Sequence, residues 1–165
     1  MSTTAPHTIA CHWQTAPTPH AQLNDWLFDQ GSLTQRLTQL CRTAFTVKVI
    51  DEGWHTLTAD ECQALAITPG SCGWVREVFL CDGEQPWIFA RSVAGQTALQ
   101  SSDFAISELG TRSLGATLFS QHAFKRGPMY IQRLDCAQLP ISVQHYTQQQ
   151  PHVWARRSCF TKNAL

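Results

Sequence analysis

Between Trp74 and Ala94, two runs rich in β-branched and aromatic residues flank a turn-rich segment. This pattern predicts a β-hairpin. Asp82-Gly83 supplies the turn, and Pro86 opens the returning strand. Alternation groups Arg76, Val78 and Leu80 on one face of the first strand, and Trp87, Phe89, Arg91 and Val93 on one face of the second. Each apolar face therefore carries one arginine. If Leu80 pairs with Trp87, Arg76 faces Arg91, and like charges opposed across a sheet are destabilising. An arginine goes inside only with a partner. Two partners are open: acidic side chains from elsewhere in the chain, or an anionic ligand. In the second case the hairpin floors a pocket for a small carboxylate, whose geometry the guanidinium fork matches. A different register, with one arginine at the surface, is the plain alternative.

The same patterning orders the rest of the chain. Residues 1–17 are rich in Thr, Ala, His and Pro and read as a flexible arm, with a single domain over residues 18–165. Thr18-Pro19 resembles a helix start, and Leu23, Trp26 and Leu27 face inward up to Gly31. Ser32 to Gln35 fits a capping box, and Leu33, Leu37, Leu40 and Cys41 form one stripe. These two helices make an αα-hairpin, either core packing or a lid. A strand follows over residues 45–50, broken at Gly53. Thr58 and Glu61 predict a helical turn to about Ala66. Ser101 to Gly110, with Phe104, Ile106 and Leu109 at helical spacing, and a helix from Ser113 with Leu114, Leu118 and Phe119, give a second αα-hairpin. Strands are predicted at 128–134, 139–146 and 153–160. Short-linked strands interrupted by helical hairpins indicate an α+β fold with an antiparallel sheet.

Composition narrows the function classes. The 165 residues suit one domain with a real core, and 43% of them are hydrophobic. With 12 basic and 12 acidic residues there is no basic excess of the kind nucleic acid attracts. No stretch is long and apolar enough to span a membrane. The first ten residues lack a basic segment followed by an apolar run, so no secretion leader is expected. Seven cysteines are scattered without metal-site spacing and read as free thiols of a reducing cytoplasm. The histidines form no metal cluster, and no phosphate loop, zinc-protease or nucleophile-elbow motif occurs.

Several segments together resemble the chorismate lyase family. They are Trp26-Leu27 with Gly31 to Leu37, Trp74 to Cys81, Pro86-Trp87 with Ala90 to Val93, Leu109 to Gly115 with Leu118-Phe119, and Trp154 to Ser158. Their order and spacing across about residues 23–160 carry the likeness; residues 121–152 fit least well. The resemblance implies an antiparallel sheet whose buried ligand pocket is covered by two helix-turn-helix flaps. It implies conversion of chorismate to 4-hydroxybenzoate and pyruvate, the first committed step of ubiquinone biosynthesis, by a cytoplasmic monomer with no metal or organic cofactor. It places Arg76 at the aromatic acid's carboxylate, Leu114 at the ligand through its backbone, Leu33 where the first flap approaches, and Arg91 as a second arginine on the neighbouring strand.

One departure stands out. The family continues past the Trp-x-Arg-Arg-Ser strand with a last apolar strand carrying a glutamate, and this chain stops at Thr161 to Leu165 without a counterpart. It is therefore read as truncated or as a degenerate member, with its catalytic acid/base residue unassigned. A non-catalytic domain of the same fold that binds or senses small aromatic acids is the alternative. A buried Arg76–carboxylate pair with no ligand is a third.

Overall fold

The computed structural model describes residues 12–100, 108–120 and 124–162. The predicted hairpin supplies the central and one edge strand of a three-stranded antiparallel sheet of β1 (Phe45–Thr56), β2 (Cys72–Asp82) and β3 (Gln85–Gly95), in the order β1-β2-β3. Gly83 takes the left-handed φ of +57° that the two-residue turn between Asp82 and Gln85 requires. The Asp82 carboxylate accepts hydrogen bonds from the backbone N–H groups of Arg42 and Thr43, at 3.0 and 2.8 Å. These bonds hold its pKa below the usual carboxylate range.

The register differs from the predicted one for a local reason. Asp82 pairs with Gln85 and Cys81 with Pro86, but Leu80 pairs with Ile88, so Trp87 is a surplus residue. This bulge shifts everything beyond it by one position. Arg76 therefore stands opposite Ser92, and Arg91 opposite Glu77. The two arginines lie on opposite faces, and the repulsion expected between them does not arise. A second bulge lies in β1, between the pairs Val49–Val78 and Asp51–Glu77, with Ile50 surplus. Gly53 does not break β1. It pairs with Val75, and the strand runs on to Thr56 because β2 continues its ladder.

The described chain divides into two compact units. One holds Asp29–Pro128 with the chain from Ser158 onward. In it, α2 (Leu33–Leu40) starts at Ser32, whose hydroxyl accepts the Gln35 N–H, and packs against β1 and α5 (Leu114–Ser120). On α3 (Ala59–Ala64) the capping box is complete: Thr58 Oγ1 accepts from Glu61 N, and Glu61 Oε2 accepts from Thr58 N. This helix covers one face of the sheet through a core of Leu57, Cys62 and Val75, with Leu65, Ile67 and Val93 around it. Thr58→Ala is expected to cost about 1 kcal/mol, read as a lower urea midpoint at unchanged slope. α4 (Gln96–Gln100) follows β3 directly. Residues 101–107 of the next predicted helix, Phe104 and Ile106 among them, lie outside the described residues. Of the described residues at its predicted end, Leu109 is buried and Gly110 has φ +54°. β4 (Phe124–Arg126) and β7 (Phe160–Lys162) form a separate antiparallel pair.

The other unit holds the described residues up to Phe28 and Met129–Arg157. Its α1 (Ala21–Leu27) begins after His20, two residues later than predicted. Thr18 does not cap a helix end. Its N–H and hydroxyl both donate to Asn24 Oδ1, which diverts the side chain from the helix N–H groups. β5 (Tyr130–Asp135) pairs antiparallel with β6 (His152–Arg157), and Gln14 bonds Ile131 through both backbone groups. Arg156 donates to Trp26 O at 2.6 Å, and the Arg157 guanidinium lies 4.3 Å from the Trp13 ring centre. The strand predicted at 139–146 is instead the short helix α6 (Ile141–Gln144). Pro140, with φ −52°, presets a helical start and has no N–H for a ladder. The strand predicted at 153–160 is interrupted at Ser158-Cys159. β6 pairs with β5, and β7 pairs with β4.

Candidate functional site

Arg76 sits in the central strand, so β1 and β3 screen it on both sides, and it is only 2% exposed. A buried guanidinium needs acceptors, and three are in place. Nη1 donates to Glu52 Oε1 at 2.8 Å; Nη2 donates to Gly110 O at 2.6 Å and to Arg112 O at 3.1 Å. Of the two partners the sequence left open, an internal carboxylate is thus present. The β1 bulge puts it there. Without the surplus Ile50, the alternation that carries Val47 and Val49 would place Asp51, not Glu52, opposite Arg76. Reading Gly53 as a breaker hid this residue. Carrying the strand through that glycine would have brought Glu52 into view.

An open cavity of about 730 Å³, a volume typical of small-molecule sites, is linked to this pair through Arg112, which lines it and whose carbonyl accepts from Arg76; Arg76 and Glu52 are not part of its lining. β1 lines it with Phe45, Thr46 and Val47, α2 with Thr34, and the segment leading into α5 with Thr111, Arg112, Ser113 and Thr117. Arg76 stands behind this lining and pins the Gly110–Arg112 segment through two carbonyls. Thr34 and Ser113 share a hydroxyl–hydroxyl hydrogen bond of 2.5 Å. The starts of α2 and α5 therefore meet at the cavity. Leu33 and Leu114 are the first residues of those two helices and adjoin Thr34 and Ser113 in the chain.

Arg91 is not brought to this cavity. It lies on the sheet's other face, where Nε and Nη2 bond both oxygens of Glu61 at 2.6 and 3.2 Å, and Nη1 bonds Glu77 at 2.8 Å. Partial burial works against its charge, but Glu61 and Glu77 outweigh this and raise its pKa above the usual arginine value. Burial likewise pulls the Glu61 pKa upward, and hydrogen bonds from Arg91 and Thr58 overcome it and hold the pKa low. A carboxylate with a depressed folded pKa stabilises the fold above its unfolded value, and that stabilisation is lost as pH falls through the folded value. Arg91→Ala is expected to cost about 2 kcal/mol, since it leaves two half-buried carboxylates facing each other. It should also flatten the loss of stability between about pH 5 and pH 3. Denaturation midpoints across that range, in both proteins, provide the check.

Among the described residues, no three His, Cys, Asp or Glu side chains gather as metal ligands. No described helix is long and apolar enough to cross a membrane.

This arrangement sets a buried, carboxylate-paired guanidinium behind a segment that lines an open cavity. Comparison with known proteins gives it a context. The family model described as chorismate lyase matches residues 10–165. A protein of Pseudomonas aeruginosa strain UCBPP-PA14 named "Probable chorismate pyruvate-lyase" is 53% identical over 141 residues, covering 86% of this chain and 76% of that protein. "Probable chorismate pyruvate-lyase 2" of Pseudomonas entomophila is 45% identical over 164 residues, covering 97% of this chain and 86% of that one. A Pseudomonas putida protein, also named "Probable chorismate pyruvate-lyase", is 44% identical over 173 residues and is matched across 89% of its length. The chain belongs to the chorismate lyase family.

Proposed function

We propose that this protein removes pyruvate from chorismate to give 4-hydroxybenzoate, the first committed step of ubiquinone biosynthesis. Family membership and the names of its relatives support the reaction. The observation that carries it in this chain is the buried Arg76 guanidinium, bonded to the carbonyl of Arg112, which lines a cavity of suitable size. Arg76 grips the ring carboxylate. Leu114, through its backbone, and Leu33 approach the ligand from α5 and α2, which belong to the two flaps over the pocket. Arg91, held by Glu61 and Glu77, supports the hairpin from the far face. The protein acts as a cytoplasmic monomer, and the free thiols of its described cysteines suit a reducing compartment.

The chemistry asks little beyond placement. The C4 hydrogen leaves as a proton, and its electron pair completes the ring as the C3–oxygen bond breaks. The enolpyruvate released then ketonises to pyruvate. The step is redox-neutral, and the aromatic product supplies much of the driving force. We propose that it runs without a metal or organic cofactor, with the site orienting the dianion and excluding water. No acid/base residue is assigned to the proton.

Incubation with chorismate, followed by the absorbance of 4-hydroxybenzoate, tests the reading. Product formation supports it. Tight binding of 4-hydroxybenzoate without turnover would favour a domain of the same fold that only binds aromatic acids.

A further inference from the structure

We infer that Glu52 is the resident counter-ion of Arg76, and that it competes with the ligand's carboxylate and so sets how firmly that carboxylate is held. The inference rests on the proposed role of Arg76. The Glu52 side chain is 19% exposed and that of Arg76 is 2% exposed, so their 2.8 Å contact is largely screened from solvent. The remaining acceptors of Arg76 are neutral carbonyls, at Gly110 and Arg112. Glu52 is therefore the one carboxylate, among the described residues, in hydrogen-bond contact with the Arg76 guanidinium.

A ligand carboxylate reaching Arg76 meets a cation that is already neutralised. Two carboxylates then share one guanidinium, and like charges at such a separation repel strongly where water is sparse. Nη2 already serves two acceptors with its two N–H groups, so a bidentate carboxylate that uses it must displace or share one of these bonds. The neutral carbonyls yield without an electrostatic gain, whereas the Glu52 charge opposes the newcomer as long as it stays. Glu52 thus weakens carboxylate binding and hastens release of the aromatic acid. It also keeps Arg76 compensated when the cavity is empty, since an unpaired buried charge is costly.

The test separates charge from shape. Glu52→Gln keeps the length of the side chain and an oxygen that can accept from Nη1, but removes the charge. It is expected to bind 4-hydroxybenzoate about tenfold more tightly, a change of about 1.4 kcal/mol, and to leave binding of the uncharged 4-hydroxybenzamide unchanged. Glu52→Asp draws the charge back by one methylene and should fall between wild type and Glu52→Gln in its preference for acid over amide. If Glu52→Gln does not fold, the wild type and Glu52→Asp still give that preference. Equal tightening of both ligands, unchanged binding, or weaker binding of the acid would overturn the counter-ion role. If the wild type does not bind 4-hydroxybenzoate, or if Arg76→Ala binds it as wild type does, the function reading fails together with this inference. If both hold and only the Glu52 series disagrees, the inference alone fails.

Discussion

Arg76→Ala is expected to lower 4-hydroxybenzoate affinity at least about 100-fold and to destabilise the fold by about 3 kcal/mol. The two losses have separate origins. Ligand affinity falls because a charge-assisted hydrogen bond to a carboxylate contributes about 1.5–3 kcal/mol and the site loses its cation. Stability falls because Glu52 keeps a half-buried charge with no partner, while the Gly110 and Arg112 carbonyls lose their donor. Arg76→Lys separates the two. It keeps the positive charge but not the planar fork that reaches Glu52 and two carbonyls at once. About a tenfold loss of affinity is expected there. Isothermal titration with 4-hydroxybenzoate and urea unfolding measure the two quantities. Wild-type affinity in Arg76→Ala would remove the carboxylate assignment.

Gly73→Ala should cost about 3 kcal/mol even though it adds one methyl group far from the cavity lining. A Cβ at this position would lie 2.7 Å from the Ala94 carbonyl oxygen and 2.8 Å from Leu57 Cδ1. The first neighbour is backbone in the adjacent strand, and the second belongs to the core under α3. Neither can give way without opening the β2–β3 ladder or shifting Leu57. Gly53 is the contrast. The nearest atom to its Cβ position is a His55 ring nitrogen at 3.7 Å, so Gly53→Ala should lie within about 0.5 kcal/mol of wild type. Thermal melts of both variants compare them directly.

These two glycines show where the sequence was legible. Gly53 was prominent as a breaker within a short β-branched run, yet β2 overrides that preference by pairing through it. Gly73 gave no local signal, because its requirement comes from Leu57 and Ala94, which are distant in the chain. Helix starts that use short-range bonding, at Ser32 and Thr58, could be read from residues three apart. The hairpin was readable from its β-branched runs and its turn. Its register was not, because the surplus Trp87 breaks the alternation from which a register is read. Residues 141–144 misled because Ile141 and Val143 suit strands, while the outcome was decided by Pro140. At the site, Arg76 was conspicuous as a charge among apolar residues. Glu52 was not, since its position depends on one surplus residue in another strand.

The two bulges have a consequence for how the sheet keeps time. Ile50 interrupts the alternation of β1, and Trp87 interrupts that of β3, at different levels along the strands. β2 carries no surplus residue against either neighbour. It acts as the ruler, and each outer strand is set in phase against it separately, with the part beyond its surplus residue offset by one position. The cavity wall at Phe45 to Val47 belongs to the first phase of β1, and the counter-ion Glu52 to the second. Ile50 is thus a joint between wall and counter-ion, and beyond it β2 holds Arg76 opposite Glu52.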